Sequence, residues 1–267
     1  MKLDVLMSCM HQEDDTLVRR SKITGNAVVI NQCGRDDYRE YHTQNGLARI
    51  WFTDQRGLTR SRNMAIACSD ADVCLLCDDD EVFVPAYEEK ILKTFRELPQ
   101  ADVIIFRMVD YPCSLGDEVR ELKFPQTMHV SSWQIAFRRE SLLRSDVRFD
   151  ELLGAGTGNG AEEELKFMTD CRKAGLKIYY APVEIATVAQ TESTWFEGFD
   201  EAFFYRRGGT TRYILGWPLA SLYAVYYVIR KRRLYEKYLT PGKALRAIFR
   251  GIRDDRVTRQ ARANAKP

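Results

Sequence analysis

The stretch VCLLCDDDEVF, residues 73–83, decides the fold. Five apolar residues in a row read as a strand buried on both faces, the habit of parallel sheets. Asp78, Asp79, Asp80 and Glu81 follow at once, so the strand delivers a cluster of acids to its carboxyl end. In open α/β sheets that edge is where ligands bind. Clustered carboxylates repel one another unless a cation neutralises them. Hard oxygen ligands at this density suit Mg2+ or Mn2+, which keep waters and take further ligands from a substrate's phosphates. A competing reading makes the acids a cap for the helix that opens near Pro85. One acid satisfies a cap, and three exceed it.

Working outward, short apolar runs at residues 5–9, 27–30, 48–52, 103–108 and 177–180 read as further strands. Between them GLTRSRNMAIACSDAD, residues 57–72, is a plausible helix, as is the segment after Pro85 with Tyr87, Ile91, Leu92, Phe95 and Leu98 at helical spacing. Residues 163–173 are helical by pattern, behind a glycine-rich loop at 154–160. Such alternation predicts an α/β domain with a mostly parallel sheet flanked by helices. A chain of 267 residues buries a sizeable core, and 45% hydrophobic with 29% charged residues excludes a disordered or fibrous protein.

The seven cysteines are an odd number, scattered and partly inside apolar runs, as expected of reduced core thiols. Cys74 and Cys77 form a CxxC, but on a strand they face opposite ways and no second pair completes a zinc site. MKLDVLMSCM lacks the pattern of a signal peptide, so export by that route is not expected. His11, His42 and His129 have no spaced partners, and no GxSxG elbow signals a serine nucleophile. Trp133 reads as a core aromatic, with a place near an acceptor site as the alternative.

Charge is uneven. Residues 230–267 hold 13 basic and 3 acidic residues, leaving 27 against 35 upstream. Before this tail, YILGWPLASLYAVYYVI, residues 213–229, runs 17 residues without a charge, and Arg230, Lys231, Arg232 and Arg233 follow directly. A spanning helix wants about 20 apolar residues, and tyrosine and tryptophan suit the headgroup boundary. Leu245, Ile248, Phe249 and Ile252 then share one helical face amid Lys243, Arg246, Arg250 and Arg253, a basic amphipathic pattern. Three readings stand: attachment to an anionic membrane surface, a helix that covers the core, and a span. Nucleic acid is not an expected partner, because aromatic residues for base stacking are sparse after Tyr238.

Over roughly residues 3–210 the sequence resembles the inverting family 2 glycosyltransferases of GT-A fold. The aspartate triplet is similar to their DxD motif, with Asp78 and Asp80 at its acidic positions. The resemblance implies Mn2+ or Mg2+ at Asp80 and Asp78, bridging the diphosphate of a nucleotide sugar, with Asp78 and Asp79 at the ribose. GLTRSRNMAI, residues 57–66, is similar to the family's helix entry, which implies Arg62 and Asn63 beside the nucleotide. Many members end their second strand in Asp-Asp-Gly-Ser, whose first aspartate reads the base. Here Asn31 and Gln32 stand there, and an amide can still pair in plane with a uracil edge.

FDELLGAGTGNGAEEELKF, residues 149–167, is similar to the segment that ends in the family's Glu-Asp pair. Aligning Phe167 puts Glu163 and Glu164 in that pair and Glu164 at the catalytic base. The usual base is aspartate, and the run from Glu162 to Glu164 leaves the register open by one residue. TESTWFEGFDEAFFYRRGG, residues 191–209, looks like a Ser-Thr-Trp segment of bacterial polysaccharide-assembling members.

The expectation is a GT-A domain over residues 1–210, with a nucleotide-binding half to 108 and an acceptor half from 109, then a helical basic extension over 211–267. The resemblance implies a metal-dependent inverting transfer from a nucleotide sugar, with UDP expected, to a saccharide or lipid-linked acceptor in bacterial surface polysaccharide synthesis. The implied location is cytoplasmic, on the inner face of the membrane. Two alternatives are a sugar nucleotidyltransferase, which wants a glycine-rich basic loop where SCMHQEDD is acidic, and an inactive membrane-bound scaffold with the same fold.

Overall fold

A computed structural model of the chain describes residues 1–109, 111–159, 162–188 and 198–264. The chain divides into two compact units, Met1–Phe149 with Phe167–Thr191, and Asp150–Lys166 with Glu192–Pro267. In chain order the first unit contains β1 (Leu3–Met10), α1 (Thr16–Arg20), β2 (Asn26–Gln32), β3 (Asp37–His42), β4 (Leu47–Thr53), α2 (Leu58–Cys68) and β5 (Val73–Cys77). It continues through β6 (Glu81–Phe83), α3 (Tyr87–Glu97), β7 (Val103–Met108), β8 (Arg120–Glu121), β9 (Ile135–Arg138) and α4 (Arg139–Ser145). Helix α5 (Glu163–Lys173) starts in the second unit and leads back to β10 (Ile178–Val188).

All ten strands form one sheet, ordered β3-β4-β2-β1-β5-β9-β7-β10-β6 with β8 on β10. Strands β4, β2, β1 and β5 pair in parallel, as do β7 and β10. Strand β9 runs antiparallel between β5 and β7, so those two also point the same way. The sheet is therefore mostly parallel in direction, as the alternation predicts. Its parallel strands are apolar on both faces because both are covered. Leu3, Val5 and Met7 pack with Leu17, Ile91 and Phe95 on one side. Leu6, Leu76 and Ile105 pack with Ile66, Phe167 and Met168 on the other. Each such buried side chain contributes about 1.5–3 kcal/mol. Cys77 belongs to the first cluster and Cys74 to the second, so the CxxC thiols face apart. Burial raises both thiols, Cys74 to about 12.

Four strands lie outside the apolar runs. Edge strand β3, DYREYH, is almost wholly exposed, and its charges protect the sheet edge. Tyr38 packs on Trp51 with ring centroids 4.8 Å apart, Arg39 lies over the Phe52 ring at 5.0 Å, and Tyr41 packs against the core. Strand β6 grows out of the acidic turn itself, and β8 is two residues long.

The second unit holds α6 (Glu201–Arg230), α7 (Arg232–Tyr235), α8 (Pro241–Asp254) and α9 (Arg256–Asn264). Asp200 caps α6 by accepting from the Phe203 N–H at 2.7 Å, and Thr240 with Pro241 opens α8. Helices α6 and α8 touch through glycine. A Cβ on Gly208 would strike the Ile248 carbonyl, and one on Gly251 the Tyr205 carbonyl. Phe204, Tyr227, Tyr235 and Ile248 fill the small core around that contact. The uncharged run 213–229 lies in α6, interrupted at Gly216 (φ 77°, ψ 172°), after which Pro218 sits in a first turn that tolerates it. Among the described residues no helix is long and apolar enough to cross a membrane.

Candidate functional site

Strands β1, β2 and β5 end at the same sheet edge, and the loops beyond them gather the residues singled out in the first unit. Asp78 stands at its centre. Its Oδ1 accepts from Arg62 Nη2 at 2.9 Å and its Oδ2 from Ser132 Oγ at 2.8 Å. Arg62, 2% exposed on α2, also lies over the Phe149 ring at 5.3 Å. A guanidinium that is always charged can be buried here because a carboxylate and an aromatic face receive it. Asn63 follows, and its amide clamps the Phe149 backbone in both directions, donating to the carbonyl and accepting from the N–H at 2.9 Å each. Phe149 in turn stacks on Phe167 with centroids 4.3 Å apart and planes 4° off parallel. Chain segment 150–166 thus leaves and re-enters the first unit through one stacked pair.

Glu81 is the buried member of the acidic turn, 1% exposed. Its Oε1 accepts from the Asp78 N–H at 2.7 Å, while Oε2 has no hydrogen-bond partner. Burial first, then the Asp78 charge, raise its pKa well above the ordinary carboxylate value. The same two causes push Asp79 and Asp80 upward. Arg20 donates to the Asp79 carbonyl at 2.8 Å and leaves its carboxylate exposed.

Asn31 and Gln32 end β2 with their amides engaged. Asn31 accepts from the Gln12 N–H at 3.0 Å and donates to the Gln12 carbonyl at 2.6 Å. Gln32 accepts from the Gly57 N–H at 2.8 Å, and its own carbonyl accepts from Arg56. The two side chains hold the loops that border the ligand edge, after β1 and before α2. Gly57 enters α2 at φ 120°, a conformation that favours glycine.

The residues Glu162, Glu163 and Glu164 fall to the second unit, at the start of α5. Glu163 is buried and Glu164 half-buried. Glu162 adopts φ 96° and contacts Arg207 Nη1 through Oε1 at 2.6 Å. Arg207 further donates to Tyr223 OH at 2.9 Å and lies over the Tyr227 ring at 4.3 Å. Desolvation opposes its charge, but Glu162 and the tyrosines outweigh it and the Arg207 pKa is raised. Asp150 accepts from Tyr213 OH at 2.6 Å and pairs with Lys166 at 3.5 Å, which ties the same segment to α6. The Ser-Thr-Trp residues 193–195 lie outside the described residues, as does the His129 side chain. Trp133 is half-buried, edge-on to Tyr111 at 5.6 Å. His11 and His42 are exposed.

Sequence reading missed Ser132, Phe149 and Arg207. For Ser132 a signal existed: Ser131-x-x-Gln134 has capping-box spacing, and the box forms. No group of three or more His, Cys, Asp or Glu able to hold a metal ion by itself is found among the described residues. A hard cation of the Mg2+ or Mn2+ kind takes one or two carboxylates plus phosphate oxygens. The half-buried Asp80, whose pKa burial and then the Asp78 charge raise, is a carboxylate that fits such a cation. Both oxygens of Asp78 already accept bonds from Arg62 and Ser132.

The mostly parallel sheet, covered on both faces, has the GT-A fold. Residues 27–147 match the family model described as Glycosyl transferase family 2. In fold the chain is similar to TarS of S. aureus. The crystal structure of TarS 1–349 in complex with UDP-GlcNAc aligns with a TM-score of 0.60 at 16% identity, over 83% of this chain and 66% of that one. TarS 1–349 in complex with UDP aligns with a TM-score of 0.54 at 16% identity, over 78% and 64%. The chain thus spans just under two thirds of the length of the TarS 1–349 structures it matches. No curated protein sequence matches it.

Proposed function

We propose that the protein is a metal-dependent inverting glycosyltransferase that moves a sugar from a nucleotide donor, UDP-linked, to a saccharide or lipid-linked saccharide. Its setting in this reading is bacterial surface polysaccharide synthesis, on the cytoplasmic face of the membrane. The observation that carries the proposal is the Asp78–Asp80 turn, set at the sheet edge by Arg62, Ser132 and Glu81 within the family-matched stretch. UDP and UDP-GlcNAc in the similar TarS structures support the donor class.

In the reaction, the Glu164 carboxylate takes the proton of an acceptor hydroxyl as that oxygen attacks the anomeric carbon. The bond to the diphosphate breaks on the opposite face, the electron pair leaves with the diphosphate, and the anomeric configuration inverts. Asp80, assisted by Asp78, would hold Mn2+ or Mg2+, which supplies positive charge to the departing diphosphate when bound. Arg62 holds Asp78 in place, and Asn63 fixes the chain at Phe149. Asn31, Gln32 and Asp79 border the place of the nucleoside.

UDP release from a panel of UDP-sugars with Mn2+ tests this. Asp80→Ala and Glu164→Ala are each expected to slow turnover about a hundredfold or more. The absence of metal-dependent turnover with every donor would overturn the proposal in favour of a binding scaffold, and pyrophosphate release from UTP in favour of a nucleotidyltransferase.

A further inference from the structure

The second half of α6 is apolar on two faces. Ala220, Ala224, Tyr227 and Val228 are buried in the helical core. On the opposite side, spaced i, i+3, i+4 and i+7, stand Leu222, Val225, Tyr226 and Ile229. These are exposed, Leu222 by 68% and Ile229 by 70%. A helix that only covered a core would show polar residues there. Past this stripe come Arg230, Lys231, Arg232 and Arg233, all exposed, of which Arg232 is paired with Glu236 at 2.8 Å. Trp217 and Tyr238, 49% and 73% exposed, flank the stripe in sequence.

We propose that this face lies on an anionic lipid bilayer, with Leu222, Val225 and Ile229 in the headgroup–acyl boundary and Arg230, Lys231 and Arg233 among lipid phosphates. The inference deepens the membrane placement proposed above by naming the surface. From Trp217 to Arg230 the helix is roughly 21 Å long, against about 30 Å of hydrocarbon, so it suits lying in the interface rather than crossing it. Apolar residues beside a cation cluster, with tryptophan and tyrosine at the margins, match the two chemistries of that boundary. A second copy of the chain is a poorer occupant. It would offer an apolar stripe, but residues 213–229 contain no acid to meet the four cations. Nucleic acid would leave the stripe without a role.

Co-sedimentation of the full chain with phosphatidylcholine vesicles, with and without phosphatidylglycerol, tests the proposal. Binding is expected with the anionic vesicles and should weaken as salt rises. Replacing Arg230, Lys231 and Arg233 by Gln together should weaken it about a hundredfold, at roughly fivefold per cation. Leu222→Ser with Ile229→Ser should weaken it at least about tenfold. All five residues are exposed, so unchanged unfolding midpoints are expected for both variants and would show that folding is not the cause. Three results would overturn the proposal: no pelleting of the wild type, equal pelleting of wild type and variants, or a dimer in solution that the Leu222/Ile229 variant abolishes. Vesicle binding requires no donor sugar, so its failure leaves sugar transfer standing, and a transferase-dead chain that still pellets leaves the surface standing.

Discussion

Each unit of the molecule carries a run of acids, and Glu81 in one and Glu162 in the other are drawn away from water by different means. In the first unit Glu81 is 1% exposed, with one oxygen on the Asp78 N–H and the other unpartnered, among like charges. In the second, the Glu162 side chain is 8% exposed, but Arg207 meets it at 2.6 Å from α6. Burial favours protonation in both. At Glu81 the Arg62 charge opposes it from its seat on Asp78, and at Glu162 Arg207 opposes it in direct contact. The first run therefore meets its arginine through Asp78, whereas in the second Arg207 pairs directly with Glu162 and behaves as a brace for the start of α5.

The contrast breaks most sharply at Arg207. A guanidinium cannot shed its proton, so Glu162→Gln would leave a buried charge unpaired, at a cost of about 3–5 kcal/mol in urea unfolding. Arg207→Met should cost less, because the Glu162 carboxyl left behind can take up a proton. The double change Glu162→Leu with Arg207→Met should recover much of the loss, since apolar packing can replace a buried pair. Equal costs for the two single changes and no recovery in the double would show that the pair does not act as a unit.

At Glu81 the expected cost is smaller and its pH dependence is the signature. An acid with a raised native pKa holds its proton in the fold while the unfolded chain releases it near the ordinary 4.5. Its contribution to stability is full below that pH and fades as pH climbs toward the native value. Glu81→Gln keeps the shape and cannot ionise, so it should cost under about 1.5 kcal/mol at pH 4 and gain on the wild type as pH rises. Stability curves that run parallel from pH 4 to 8 would sink the idea that Glu81 is held neutral.

Much of this was legible beforehand, for reasons the residues make plain. Apolar runs announced β1, β2, β4, β5 and β7, and the acids after Cys77 announced where the central strand ends. Strand β3 stayed hidden because an exposed edge of alternating Asp, Arg and Glu has no buried face to write a pattern. The bond between Asn63 and Phe149 joins residues 86 apart, and nothing local in either marks the other. Gly208 and Gly251 are similar: each looks like an ordinary helix glycine until the facing backbone is seen. Arg207 reads as one of many cations, and its partner Glu162 as one of three equivalent glutamates, until burial separates them.

The gentlest probe asks what holds the first run in place. Ser132 Oγ donates to Asp78 Oδ2 at 2.8 Å, and Arg62 donates to Oδ1 at 2.9 Å. Ser132→Ala should cost about 1 kcal/mol of stability and raise the KM for the nucleotide sugar several-fold with kcat little changed, since Arg62 still anchors Oδ1. Measuring that KM across a Mn2+ series separates two origins of order in the turn. Were the cation the main organiser, saturating Mn2+ would erase the difference from wild type. A difference that persists at every Mn2+ concentration would mean that the protein prepares Asp78 by itself, and that the acidic turn owes its shape to Arg62, Ser132 and the Glu81 carboxyl.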